Sequence, residues 1–181
     1  KVMNGNLGKA IIKVSAVPKQ YWQIKAPAMV FNDQLDVQKA YKDGKLNCDH
    51  ILVLKGQGPK ANGMPELHKL MPVLANLQDQ DFKVALLTDG RLSGASGKVL
   101  SAIHLVPEAV NGGAIAKIED GDIIEINAHT GVVNIENVDL NTRQVHFSVA
   151  KNRGVGRELF SVFRTHVTPA DEGAMSINWQ E

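Results

Sequence analysis

Five polar side chains crowd one short stretch: Asp89, Arg91, Ser93, Ser96 and Lys98 all fall within residues 89–98. The run Thr88-Asp89-Gly90-Arg91-Leu92-Ser93-Gly94-Ala95-Ser96-Gly97 sets a hydroxyl among cationic groups. A serine works as a base only where positive charge or a metal stabilises its alkoxide. The plain alternative is a solvated turn, with Asp89 paired to Arg91 and Ser96 capping a helix. A second glycine-rich run, Lys55-Gly56-Gln57-Gly58-Pro59-Lys60-Ala61-Asn62-Gly63, lies upstream. Glycines let backbone N–H groups approach an anion, and a following helix N-terminus adds favourable potential. Neither run has the spacing of a dinucleotide fingerprint or a P-loop. Glu66 follows the first run. It reads either as an acid favoured by a helix dipole or as a carboxylate for a hard cation such as Mg²⁺.

The remaining reactive side chains offer less. His50, His68, His104, His129, His146 and His166 form neither H-x-x-x-H nor H-E-x-x-H, which argues against zinc. His104, between Ile103 and Leu105, reads as a buried, satisfied histidine, and His129 as a turn residue. Cys48 lacks a partner for nucleophilic catalysis. Tyr21 and Trp22 read as packing residues.

The elements that must position these groups follow from pattern. Leu7–Val17 is β-branched and reads as a strand closed by Pro18. Ile24–Phe31 reads as a second, with Pro27 implying an edge or bulge. Asn32 or Asp33 caps a helix that runs to Gly44, with Val37, Ala40 and Tyr41 on one face. Asp49–Leu54 and Phe82–Leu87 are short buried strands, each feeding one glycine-rich run. Pro65 opens a helix carrying Leu67, Leu70 and Met71, which Pro72 must kink or restart. A short helix is expected near Ser96. Ile115–Glu119, Asp122–Asn127 and Val132–Val138 read as strands, with turns at Asp120-Gly121 and Thr130-Gly131. A last helix, about Arg157 to His166, is expected to turn Leu159, Phe160 and Phe163 inward. The sum is an α+β domain with a mixed sheet, closed as a barrel with flanking helices outside. In such sheets ligands gather beyond the carboxyl ends of parallel strands.

Composition removes whole classes. The 181 residues make one domain, long enough to bury a core without staples. Net charge is +1, from 20 Lys+Arg and 19 Asp+Glu, which gives no electrostatic case for nucleic acid or an anionic membrane. A single cysteine excludes an internal disulfide and any four-cysteine metal or cluster site. There is no signal-peptide pattern and no apolar run near ~18 residues. The start at Lys1 reads as a processed or excised piece, and a cytoplasmic origin is expected.

Taken together, Gly56–Leu70 (GQGPKANGMPELHKL) and Thr88–Lys98 (TDGRLSGASGK) resemble the C-terminal domain of the dihydroxy-acid dehydratase / 6-phosphogluconate dehydratase family. Ser101–Ala109 (SAIHLVPEA) and Asn4–Ala10 (NGNLGKA) fit as well. Ala61–Lys69 (ANGMPELHK) and Gly94–Lys98 (GASGK) look like the 6-phosphogluconate branch; the Gly-Gly-Thr-type continuation usual in dihydroxy-acid dehydratases is missing. Ala95 stands where some sugar-acid dehydratases carry a threonine, so that hydroxyl is absent or replaced by Ser96.

The resemblance implies a swivelling β/β/α domain, residues 1–181 being the C-terminal part of a longer hydro-lyase. Its iron–sulfur cluster, of the 4Fe-4S type, would be held by cysteines of an absent N-terminal domain, and the fragment would be inactive alone. The implied reaction is dehydration of 6-phospho-D-gluconate to 2-dehydro-3-deoxy-6-phosphogluconate in the Entner–Doudoroff pathway. By the same resemblance Ser93 is the base, Asp89 and Arg91 shape its loop, and Glu66 helps hold a Mg²⁺. Lys60, Asn62, Ser96 and Lys98 are implied as substrate contacts. The implied partners are the N-terminal domain, a phosphorylated sugar acid and a second copy in a homodimer, with no nucleic acid and no membrane. Two alternatives stand beside this: the same chemistry on another sugar acid or a 2,3-dihydroxy acid, and an isolated phosphate-binding or interaction module.

Overall fold

A computed structural model describes residues 1–93, 97–145, 154 and 156–177. Eight strands close into a mixed barrel: β1 (Val2–Gly5), β2 (Gly8–Ile12), β3 (Gln23–Phe31), β4 (His50–Leu54), β5 (Val84–Thr88), β6 (Leu100–Val106), β7 (Ile123–Asn127) and β8 (Val132–Ile135). Their order around the barrel is β1-β2-β6-β5-β4-β3-β7-β8. Strands β3 to β6 run parallel. The others pair antiparallel, apart from the short parallel closure of β1 on β8 at Asn4 and Val132. The helices are α1 (Gln34–Lys42), α2 (Pro59–Asn62), α3 (Leu70–Asp79) and α4 (Ser161–His166). An α+β domain with its mixed sheet closed as a barrel is thus what the patterns led one to expect.

The two central strands explain why their sequences are continuously apolar. Ile51, Val53, Ala85 and Leu87 point into the barrel, while Leu52, Leu54, Val84 and Leu86 lie beneath the helices. A strand buried on both faces has no reason to alternate. Helix α3 answers with Leu70, Val73, Leu74 and Leu77, a stripe at helical spacing. Asp33 caps α1 by accepting from Leu35 N at 2.8 Å, and Val37 is buried beneath it.

Several expectations change. The Leu7–Val17 strand is the second half of a hairpin: β2 ends at Ile12, and β1 lies before it. Pro27 lies in a barrel strand, paired with β7 at Ile123 and one residue before β4 pairing begins. Ala28 N–H already turns to Asp122 O, so the donor that Pro27 lacks faces the side where β4 pairing has not begun. Helix α3 begins at Leu70, not at Pro65, and Pro72 sits in its first turn, where its missing N–H breaks nothing. Ile115–Glu119 is not a strand; Ala114–Lys117 forms a 3-10 turn, so Asp120-Gly121 joins a turn to β7 and is no hairpin. The helix expected near Ser96 lies at the edge of residues 94–96, outside the described residues. Helix α4 buries no residue, and Leu159, Phe160 and Phe163 are exposed rather than inward. No helix among the described residues is long and apolar enough to cross a membrane.

Candidate active site

Four parallel strands deliver their carboxyl ends to one mouth of the barrel. Asn32 follows β3, Gly56 follows β4, Asp89 follows β5, and Glu108 lies two residues past β6. Hydrogen bonds tie these four exits together, and Asp89 is the central knot. Its fully buried carboxylate accepts from Gln57 N at 2.8 Å, Ala109 N at 2.9 Å and Gly56 N at 3.2 Å. Burial pushes its pKa up, and the three backbone donors pull against that. Gln57 reaches back to Asn32 O at 2.8 Å, which brings in the β3 exit.

Glu108 does for α2 what no residue within α2 does. Buried, it accepts from Lys60 N at 3.1 Å and Ala61 N at 3.0 Å, the free donors of that short helix. Burial raises its pKa as well. Gly58 permits this approach, since a Cβ there would collide with the Glu108 carboxylate. A Cβ on Gly90 would lie 2.7 Å from Gln57 Cβ, so the two glycine-rich loops touch directly.

Outside the knot stands a second, wetter arrangement. Glu66 bridges to Arg91 as an isolated strand pair. Its Oε2 accepts from Arg91 Nη1 at 2.9 Å, and its Oε1 accepts from the backbone N of Ser93 at 2.8 Å. Arg91 Nε also donates to Met64 O at 2.8 Å, and Met64 holds a positive φ of 50°. Ser93 is exposed and lines a cavity of about 470 Å³ with His68, Met71, Lys98 and Val99. Arg91 lines a neighbouring cavity of about 600 Å³ with Gly63, Met64, Phe160 and Arg164.

The structure therefore brings Glu66, Arg91 and Ser93 together and sets Asp89 beneath them. Asp89 does not pair with Arg91; backbone amides take the first and Glu66 the second. Nor does Glu66 open a helix, as α3 starts four residues later. Asn62 is held at both ends, giving Nδ2 to Gln57 Oε1 at 3.0 Å and accepting from Arg157 Nη1 at 3.1 Å. Lys60 enters through its backbone, and its side chain is exposed. Lys98 is drawn to Asp79 at the end of α3. Ser96 lies outside the described residues.

Two further residues belong to the mouth. Glu108 falls within the Ser101–Ala109 stretch, but its role as a cap supplied from another strand has no local sequence signal. His104 holds a positive φ of 55°, gives its backbone N–H to Gly90 O at 2.9 Å, and has its pKa lowered by burial and by Arg91. An aromatic residue in that backbone region is uncommon and marks a constrained position.

Cys48 is exposed and precedes β4, at the end of the barrel away from the mouth. Thiolates of this chain thus make no cluster site. Among the described residues no three metal-ligating side chains converge. Glu66 is a hard, half-buried carboxylate at the mouth, and each of its oxygens keeps a second lone pair. It fits Mg²⁺ as a single donor, in keeping with an ion that takes one or two carboxylates and keeps waters.

Comparison with known proteins bears on this arrangement. The family model described as dihydroxy-acid/6-phosphogluconate dehydratase C-terminal matches residues 1–174. Phosphogluconate dehydratase of Escherichia coli (strain K12) is 52% identical over 183 residues, covering 99% of this chain and 30% of that protein. Phosphogluconate dehydratase of Rhizobium meliloti (strain 1021) is 54% identical over 177 residues, 96% of this chain and 29% of that protein. Dihydroxy-acid dehydratase of Methanobrevibacter smithii is 34% identical over 181 residues, 96% of this chain and 32% of that protein. The chain thus spans about 30% of the length of these relatives.

Proposed function

Since the chain belongs to the dihydroxy-acid/6-phosphogluconate dehydratase family, we propose that it is the base-bearing C-terminal part of a hydro-lyase acting on 6-phospho-D-gluconate. The reaction removes the C2 proton and the C3 hydroxyl as water. The resulting enol rearranges to 2-dehydro-3-deoxy-6-phosphogluconate. The higher identity to phosphogluconate dehydratases, 52% against 34% for the dihydroxy-acid enzyme, supports this substrate over a 2,3-dihydroxy acid.

One observation carries the reading: Ser93 stands exposed at the mouth, its backbone fixed by the same carboxylate that holds Arg91. Ser93 Oγ takes the C2 proton. The Arg91 guanidinium and any cation at Glu66 lower the cost of the alkoxide. Arg91, fixed by Met64 O and Glu66, holds its guanidinium beside Ser93 as a planar cationic donor. Asp89 and Glu108 keep the loops in register. Lys60, Asn62, Ser96 and Lys98 complete the proposed set of substrate contacts. When bound at Glu66, Mg²⁺ supplies Lewis-acid charge to the substrate carboxylate. An iron–sulfur cluster, which cysteines of an N-terminal domain would hold, would supply the Lewis acidity for departure of the C3 hydroxide. The reading includes a cytoplasmic homodimer and a fragment inactive alone.

The test is a side-by-side assay of the enzyme joined to its N-terminal portion. Turnover of 6-phospho-D-gluconate well above that of non-phosphorylated gluconate and of a 2,3-dihydroxy acid is expected. Preference for the dihydroxy acid would sink the substrate assignment.

A further inference from the structure

Arg157 presents a feature that the proposed reaction has not used. Its Nη1 donates to Asn62 Oδ1, but its Nε and Nη2 are buried and have no hydrogen-bond partner among the described residues. Those two nitrogens form the side-on edge of the guanidinium. Their N–H bonds run parallel, which is the fork that binds two oxygens of one phosphate or carboxylate. A permanently charged group with its best donor edge buried and unpaired is costly, and the cost vanishes when an oxyanion fills it.

The residue that braces that edge stands at the mouth. Asn62, which anchors Arg157, lines a cavity of about 580 Å³ together with Gly56 and Gln57. Its neighbours Gly63 and Met64, and Phe160 three residues beyond Arg157, line the cavity that Arg91 and Arg164 also line. The turn bearing Arg157 is lightly seated, with Leu159 74% and Phe160 54% exposed. Admitting an oxyanion therefore rearranges a surface turn, not the core. Lys98, paired with Asp79 at the end of α3, lines the cavity beside Ser93 instead.

We propose that the Nε–Nη2 edge of Arg157, braced by Asn62, binds the phosphate group of a phosphorylated sugar acid, with Arg164 supplying further positive charge. This deepens the proposed function and rests on it for the identity of the substrate. The substrate's carboxylate belongs beside Glu66 and Ser93, where the C2 proton must be reached. The phosphate, at the other end of a six-carbon chain, is the oxyanion left for Arg157.

The experiment uses the enzyme carrying its N-terminal portion, as wild type, Arg157→Ala and Arg157→Lys. First, kcat/KM is measured for 6-phospho-D-gluconate and for gluconate. The ratio of the two is expected to fall about 100-fold in Arg157→Ala, carried by KM. Arg157→Lys should recover only part, because lysine keeps the charge without the fork. Second, inorganic phosphate is expected to raise the thermal midpoint of wild type and to leave that of Arg157→Ala unmoved. An equal loss on both substrates would overturn the assignment, since it places Arg157 on the carboxylate or in the scaffold. So would full activity in Arg157→Lys, or the same phosphate shift in both proteins. If wild type instead ignores 6-phospho-D-gluconate but keeps an Arg157-dependent phosphate shift, the substrate reading fails while the oxyanion fork stands.

Discussion

Asp89 and Glu66 each accept hydrogen bonds from the opposite glycine-rich loop, yet one is sealed from water and the other stands half-open at the mouth. Asp89 gathers three backbone amides from two strand exits. Glu66 gathers one amide and one guanidinium. The inner carboxylate has no room for a ligand and every reason to stay in place. The outer one has spare lone pairs, a cationic partner and a hydroxyl next door. The contrast teaches that alternate residues of one loop, Asp89, Arg91 and Ser93, divide between fastening and chemistry according to depth.

The sharpest way to break that division is Ser93→Ala in the enzyme with its N-terminal portion. Turnover is expected to fall about 1000-fold, while unfolding free energy stays within about 0.5 kcal/mol. A large loss of stability would move Ser93 to the fastening side. Asp89→Ala should do the reverse, costing about 3 kcal/mol in urea unfolding through orphaned buried amides.

Acid sharpens the same point. The raised pKa of Asp89 means the native state holds its proton more tightly than the unfolded chain. That contribution is complete below the ordinary carboxylate value of about 3.9 and is lost as pH rises through the folded value. Wild type should therefore lead Asp89→Asn by more at about pH 4 than at about pH 8. The opposite trend would show that the amide donors outweigh burial.

Much of this depth is legible in the amino-acid sequence, but not all. The apolar runs at Ile51–Leu54 and Val84–Leu87 declared strands buried on both faces, and the glycine-rich runs after them declared the mouth. What stayed hidden was pairing across long separations. Asp89 and Arg91 look like a local ion pair, yet each finds a better partner more than twenty residues away. Glu108 caps a helix 48 residues upstream, which no local spacing encodes. Strand β6, with polar Ser101 and His104 in its run, carries no clean alternation. Leu159, Phe160 and Phe163 read as a core face because helical spacing cannot say whether anything lies opposite.

A smaller effect follows from Glu66→Gln. The amide keeps shape but surrenders the charge that holds Arg91 and any cation. Turnover should drop about 10- to 100-fold, with less than about 1 kcal/mol lost from an ion pair this exposed. A stability loss approaching that of Asp89→Ala would erase the distinction between the two carboxylates.

The subtlest test asks whether the outer group is electrically continuous with β6. The pKa of His104 is lowered first by burial and second by the Arg91 charge. Arg91→Gln removes the second cause and leaves the first. The imidazole followed by NMR titration should therefore move up toward the ordinary histidine value without reaching it. Because His104 N–H is tied to Gly90 O, the backbone of β6 should hold its place in that variant. An unchanged titration would mean that the Arg91 charge is spent on Glu66 alone, and that the mouth's positive field stops short of the strand behind it.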